Sequence, residues 1–117
     1  MSADVGPIPP DWRKLVGAIL RKGDPSKINV CRRALQDWQA TFPAEFFEYS
    51  LRDALADALE AEGIMGKPYQ MDEPGKTYGF MFKHKTVQLY AKINLTDPDN
   101  ILIVYSAHRP LCGDELI

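Results

Sequence analysis

What this chain has little of narrows it first. It carries two cysteines, Cys31 and Cys112, far apart and without the C-x-x-C spacing of a zinc or redox site. Thiols so placed in a reducing compartment are expected to stay reduced and inert. No apolar run approaches the roughly 18–20 residues that a membrane span needs. Residues 1–10 lack the basic start and apolar stretch of a signal peptide, so a cytoplasmic protein with no membrane partner is expected. Histidine is also scarce, with two in all. No carboxylate cluster with metal-ligand spacing accompanies them, and Gly66 and Gly75 are spaced nothing like a phosphate-cradling loop. No cofactor and no metal is expected. Repeats and low-complexity tracts are absent.

What is present suits one small globular domain. The 117 residues suffice for a single core and are too few for two. An apolar share of 45% and a charged share of 26% are ordinary. The net charge of −2 argues against a blanket nucleic-acid binder, but its distribution is uneven. Residues 1–43 hold seven Lys/Arg against four Asp/Glu, residues 44–75 two against eight, and residues 76–113 five against two. The acidic charge sits on one segment and leaves two moderately basic ones that could form a local patch.

Three helices are expected after a Pro-rich, irregular lead-in over 1–10. Trp12, Leu15, Val16, Ile19 and Leu20 form one apolar stripe over 11–22, closed by Gly23. Asp24-Pro25 reads as a cap and first turn for a second helix over 25–41 that buries Ile28, Cys31, Leu35 and Trp38. Arg32 and Arg33 lie off that stripe. After Pro43, a short turn carries Phe46, Phe47 and Tyr49 inward, and Ser50 opens a third helix to Glu62 with Leu51, Ala54, Leu55, Ala58 and Leu59 inside. Asp57 and Glu60 share its wet face and read as solvation. The layout expected is a single domain over 1–117, with the helical part at 11–62, a connector at 63–75 bearing a short edge strand near residues 69–71, and a sheet over 76–110.

That last stretch alternates with period two. Tyr78, Phe80 and Phe82 oppose Thr77, Gly79, Met81 and Lys83; Val87, Leu89, Ala91, Ile93 and Leu95 oppose Gln88, Tyr90, Lys92 and Asn94. Residues 96–100, T-D-P-D-N, are strong turn punctuation, and a third strand over 101–107 is apolar on both faces. Pairing Leu95 with Ile101 sets Tyr90 by Ser106 and Gln88 by His108, and a turn at His84-Lys85 sets Gly79 by Tyr90 as a shallow dent. The fold expected is α+β, with three N-terminal helices packed on one face of a twisted three- to four-stranded antiparallel sheet.

The uncovered face would gather a phenol, an ammonium, a hydroxyl, an amide and an imidazole. Such groups are equally at home as the plain wet side of a sheet. Read as a site, His108 serves as acid or base, while Lys92 and Arg109 neutralise phosphate charge and Tyr90 orients or stacks a base, with Ser106 beside them. Those roles suit metal-free RNA cleavage by an attacking 2′-hydroxyl. Lys83, His84 and Lys85 at the hairpin tip, with Gln88 and Asn94, are candidate RNA contacts. Solvent exposure of the tip is the plainer account of His84.

With helices first, and with Q-L-Y-A-K-I-N-L at 88–95 and I-L-I-V-Y-S-A-H-R-P at 101–110, the chain resembles the small toxins of the RelE/ParE-like group. Their wider fold joins barnase, EndoU, the tRNA-cleaving colicins and RelE. The resemblance implies an endoribonuclease, a hydrolase acting on RNA, held inactive by a cognate antitoxin. Its site residues by position are Tyr90, Lys92, His108 and Arg109. ParE-like members are not ribonucleases, so the group leaves more than one activity open. The alternative from a different class is a non-catalytic protein-binding module, of antitoxin or immunity type, that uses the polar sheet face.

Overall fold

The computed structural model describes residues 5–61, 63–71, 74–97 and 99–109. Cys112, Pro110 at the expected end of the sheet, Glu62 at the expected end of the third helix and the first four residues of the lead-in lie outside them. In chain order the elements are β1 (Gly6–Pro7), α1 (Pro10–Lys22), β2 (Ile28–Val30), α2 (Arg32–Thr41), a 3-10 turn (Pro43–Glu45), α3 (Glu48–Glu60), β3 (Met65–Tyr69), β4 (Gly75–His84), β5 (Val87–Thr96) and β6 (Leu102–His108). One sheet runs β1-β3-β4-β5-β6-β2. Its core face packs against all three helices.

The α+β class and the three helices stand, but the expected three- to four-stranded antiparallel sheet does not. The sheet has six strands, and β2 runs parallel to β6 while every other pair is antiparallel. The additional strands come from segments expected as lead-in and helix. Asp24 does not cap a helix. Its carboxylate accepts from the Ser26 amide at 2.9 Å and the Ser26 hydroxyl at 2.8 Å, which closes a local turn. The chain leaves that turn extended, with Ile28 buried and Asn29 exposed. Leu102 N–H donates to the Lys27 carbonyl at 2.8 Å and Cys31 N–H to the Val104 carbonyl at 3.0 Å, seating β2 along β6. The second helix therefore starts at Arg32.

α1 matches its stripe, except that Leu15 faces solvent. Its end is set by Gly23 in the left-handed region (φ 68), whose N–H donates to the Ile19 carbonyl. α3 starts at Glu48, ahead of Ser50. Phe46, Phe47 and Tyr49 are exposed rather than inward, because Trp38 and Phe42 already fill the core beside them. The edge strand expected near residues 69–71 lies earlier, at Met65–Tyr69. Pro68 is tolerated there because β1 pairs with β3 only at Met65 and Gly66, which leaves Pro68 on the open side.

Register decides which side chains share a face. Lys85 and Thr86, with φ of 50 and 66, form the two-residue hairpin turn between β4 and β5. Phe82 then pairs with Leu89 and Met81 with Tyr90, two residues from the expected register; an even shift preserves both faces. β5 and β6 differ by an odd shift. Leu95 pairs with Leu102, so Leu102 and Val104 are buried under the helices and Ile103 lies on the opposite face. A bulge then inserts Tyr105 between the Ile93–Val104 and Lys92–Ser106 pairs, which returns Ser106 and His108 to the open face and Ala107 to the core. The covered face holds Phe80, Leu89, Ile93, Leu102 and Val104 against Trp38, Leu20, Leu51, Leu55 and Leu59, all fully buried. Side chains of this size each contribute about 1.5–3 kcal/mol on burial.

Candidate active site on the open sheet face

Alternation and register place Lys67 and Tyr69 of β3, Thr77, Gly79, Met81 and Lys83 of β4, Gln88, Tyr90, Lys92 and Asn94 of β5, and Ile103, Ser106 and His108 of β6 on one face. Among the described residues that face carries three lysines and no carboxylate. Four of the five expected catalytic residues come together on it. Tyr90 lies directly opposite His108, and Lys92 directly opposite Ser106. The expected pairs, Tyr90 with Ser106 and Gln88 with His108, are each displaced by the bulge and the register shift. Directly opposed residues have Cβ atoms roughly 4.5–5.5 Å apart. The two pairs are separated by one side-chain repeat, roughly 7 Å along the strand.

Each member of this block is held in its own way. The His108 ring lies 5.8 Å, centroid to centroid, from Tyr90. Its Nδ1 is 2.7 Å from the Arg109 carbonyl oxygen. A carbonyl only accepts, so Nδ1 carries the proton and Nε2 is the basic nitrogen of the neutral ring. Lys92 Nζ sits over the Tyr69 ring at 4.4 Å from its centroid, and Lys67 Nζ approaches the same ring at 5.7 Å. A cation over an aromatic face at this range is stabilised by the ring quadrupole. Arg109 is exposed at the end of β6.

The dent expected at Gly79 is filled. A Cβ there would fall on the Tyr90 hydroxyl and 2.7 Å from Tyr69 Cε2, so two phenol rings close over the glycine. Tyr90 is consequently only 2% exposed, and the role of stacking a base does not fit its position. Tyr69, half-buried, faces solvent more than Tyr90 does and lines a cleft of about 660 Å³ with Pro68, Met71, Pro74 and Thr77. Sequence reasoning missed Lys67 and Tyr69. Their same-parity spacing in the Met65–Tyr69 strand was the signal, hidden by Pro68 between them and Pro74 beyond.

The expected RNA contacts separate. Lys83 and Gln88 pair across β4 and β5 at the hairpin end of the open face, both exposed. His84 and Lys85 do not join them. His84 points to the helical side, 5.2 Å from Trp38 and 5.0 Å from Phe42 between ring centroids, with Nε2 3.0 Å from Glu45 Oε1. Lys85 Nζ is 2.9 Å from Glu45 Oε2. These contacts, Lys85 first and His84 second, hold the Glu45 carboxyl below its ordinary value. Asn94 is on the right face but fully buried, and neither Nδ2 nor Oδ1 has a hydrogen-bond partner. Burial pushes the Cys31 thiol up, which keeps it in the unreactive protonated form.

Among the described residues no three His, Cys, Asp or Glu side chains gather as metal ligands would, and no helix is long and apolar enough to cross a membrane. Comparison with family models, with curated proteins and with solved structures finds no match to this chain.

Proposed function

We propose that the open sheet face binds RNA and that the block of Tyr90, Lys92, Ser106 and His108 is the centre of a metal-independent endoribonuclease of toxin type. The observation that carries this reading is a face without carboxylates among the described residues, on which a histidine, a lysine and a hydroxyl lie on adjacent strands. His108 Nε2 takes the proton of a 2′-hydroxyl, whose oxygen attacks the adjacent phosphorus. The bond from phosphorus to the 5′-oxygen breaks, leaving a 2′,3′-cyclic phosphate and a 5′-hydroxyl protonated from solvent. Lys92 and Arg109 offset the charge gathering on the phosphoryl oxygens, and Ser106 donates to one of them. Tyr90 packs beside the imidazole and fixes its orientation. Lys67, Lys83 and Gln88 extend the surface along the backbone. A protein partner that covers this face, as a cognate antitoxin would, switches the activity off.

The test is cleavage of an RNA oligonucleotide by the purified chain in the presence of chelator. Loss of about 10²-fold or more is expected for His108→Ala, with a smaller loss for Lys92→Ala. A 2′-deoxy substitution at the scissile position is expected to leave binding intact and stop cleavage. Full retention of cleavage by both variants sinks the mechanism. The burial of Tyr90 favours a second reading, a binding face without turnover. It predicts salt-dependent RNA or protein binding that is weakened by Lys92→Ala and no cleavage by any form.

A further inference from the structure

We infer that the outer face of α3 and the turn before it form a docking surface for a protein segment that carries apolar anchors among lysines and arginines. Phe46, Phe47 and Tyr49 are 48, 53 and 55% exposed, the core beside them being filled by Trp38 and Phe42. Their rings touch in series, Phe46 to Phe47 at 4.5 Å and Phe47 to Tyr49 at 5.4 Å and nearly parallel. With aromatic side chains presenting 150–250 Å² each, the exposed half of three amounts to roughly 300 Å² of contiguous apolar surface.

The display is anchored from behind. The Trp38 indole N–H donates to the Glu45 carbonyl at 2.8 Å and the Gln39 amide to the Phe46 carbonyl at 2.9 Å. Ser50 N–H donates to the Phe47 carbonyl at 3.1 Å. Rings on a pinned backbone lose less entropy when a partner covers them, which is the economy of a preorganised interface.

Charge names the occupant. Tyr49, Asp53, Asp57 and Glu60 follow one another at helical spacing along a single stripe of α3. Arg21 of α1 meets Asp53 at 3.7 Å, Glu60 at 2.9 Å and also Asp57, so three carboxylates share one guanidinium and the stripe stays net negative. Glu48, at the aromatic end, is paired with Arg52 at 3.8 Å, so the negative excess lies on the Asp53, Asp57 and Glu60 stretch. An anionic membrane or a nucleic acid is repelled by such a surround, whereas a basic amphipathic segment has its apolar anchors met by the rings and its cations by the ridge. This surface lies on the helical side, away from the open sheet face, and the inference does not depend on what that face does.

The probe is a pair of synthetic helical peptides with one apolar stripe of Leu and Phe, one carrying Lys and Arg and the other Glu at the remaining positions. Each is titrated into the isotope-labelled full chain. The basic peptide is expected to shift the backbone amides of residues 46–60. Its affinity should fall about tenfold or more with Phe47→Ser and measurably with Asp53→Asn plus Asp57→Asn, thermal melts showing that each variant folds. Equal binding of the acidic peptide, shifts confined to another face, or affinity unchanged by Phe47→Ser overturns the proposal. So does uptake by anionic vesicles, or a self-associated chain that Phe47→Ser disperses.

Discussion

The two faces of β4, β5 and β6 share the same backbone and each has fully buried positions, yet what they bury differs. Ile93 and Asn94 are neighbours in β5, both fully buried, on opposite faces. Ile93 enters a core of matching apolar side chains. Asn94 buries an amide whose donor and acceptor are both unpartnered, a loss of about 1–3 kcal/mol. Phe80 and Gly79 repeat the contrast in β4: one fills the core, the other makes room for two phenols. Burial alone therefore does not tell the two faces apart. The polar inventory does, because the covered face is apolar while the open face carries lysines, a hydroxyl and an imidazole.

The widest gap between the faces is expected in unfolding free energy. Phe80→Ala should destabilise by about 3–5 kcal/mol, and Lys92→Ala by no more than about 0.5 kcal/mol, both read from urea unfolding. Comparable losses at the two positions would erase the distinction. Gly79→Ala probes the one place where the open face is packed like a core. The new methyl must displace the Tyr90 and Tyr69 rings, at about 1–3 kcal/mol. Because the Tyr90 ring lies beside His108, tilted by 35° with centroids 5.8 Å apart, the imidazole resonances should move with it; unchanged His108 shifts would show that the two rings are not coupled.

How much of this was readable before the structure follows from particular residues. The period-two pattern of residues 78–95 revealed the hairpin and both its faces, since the turn error was even and cost nothing. β6 was readable only in part. Leu102, Ile103 and Val104 are all apolar, so alternation could not choose which of them faces the helices, and nothing local announces the bulge at Tyr105. β2 was invisible because three residues are too few to show a period, and its pairing partner Leu102 lies far along the chain. The same limits apply to the site. Lys92, Ser106 and His108 share a face as the pattern implied, but the burial of Tyr90 depends on the missing side chain of Gly79 and on Tyr69, a residue of another strand. Phe46, Phe47 and Tyr49 show the opposite failure: hydrophobicity argues for the core, and only the packing of Trp38 and Phe42 shows that the places are taken.

Asn94→Leu sharpens the comparison from the opposite direction. Replacing an unpartnered buried amide by an apolar group of like shape should stabilise the fold by about 1 kcal/mol or more. Thermal and urea unfolding both report it. A destabilised variant would mean that the amide is satisfied in solution and that the open face is not strained at this point.

The smallest effect concerns acid. Carboxylates on hydrogen-bonded partners are found on the helical side, Glu45 against Lys85 and His84, and Glu60 against Arg21, and both are held below the ordinary value of 4.5. A depressed carboxyl binds its proton more weakly folded than unfolded, so it contributes stability above its ordinary value and loses it as pH falls through the depressed one. Stability should therefore decline on going from about pH 5 towards pH 3, and Glu45→Gln should flatten part of that decline. Lys83→Ala and Lys92→Ala, on a face without carboxylates among the described residues, should leave the acid limb of the profile unchanged. If an open-face variant alters that limb as much as Glu45→Gln does, acid sensitivity is not confined to the helical side, and the two faces are coupled through charge as well as through the shared backbone.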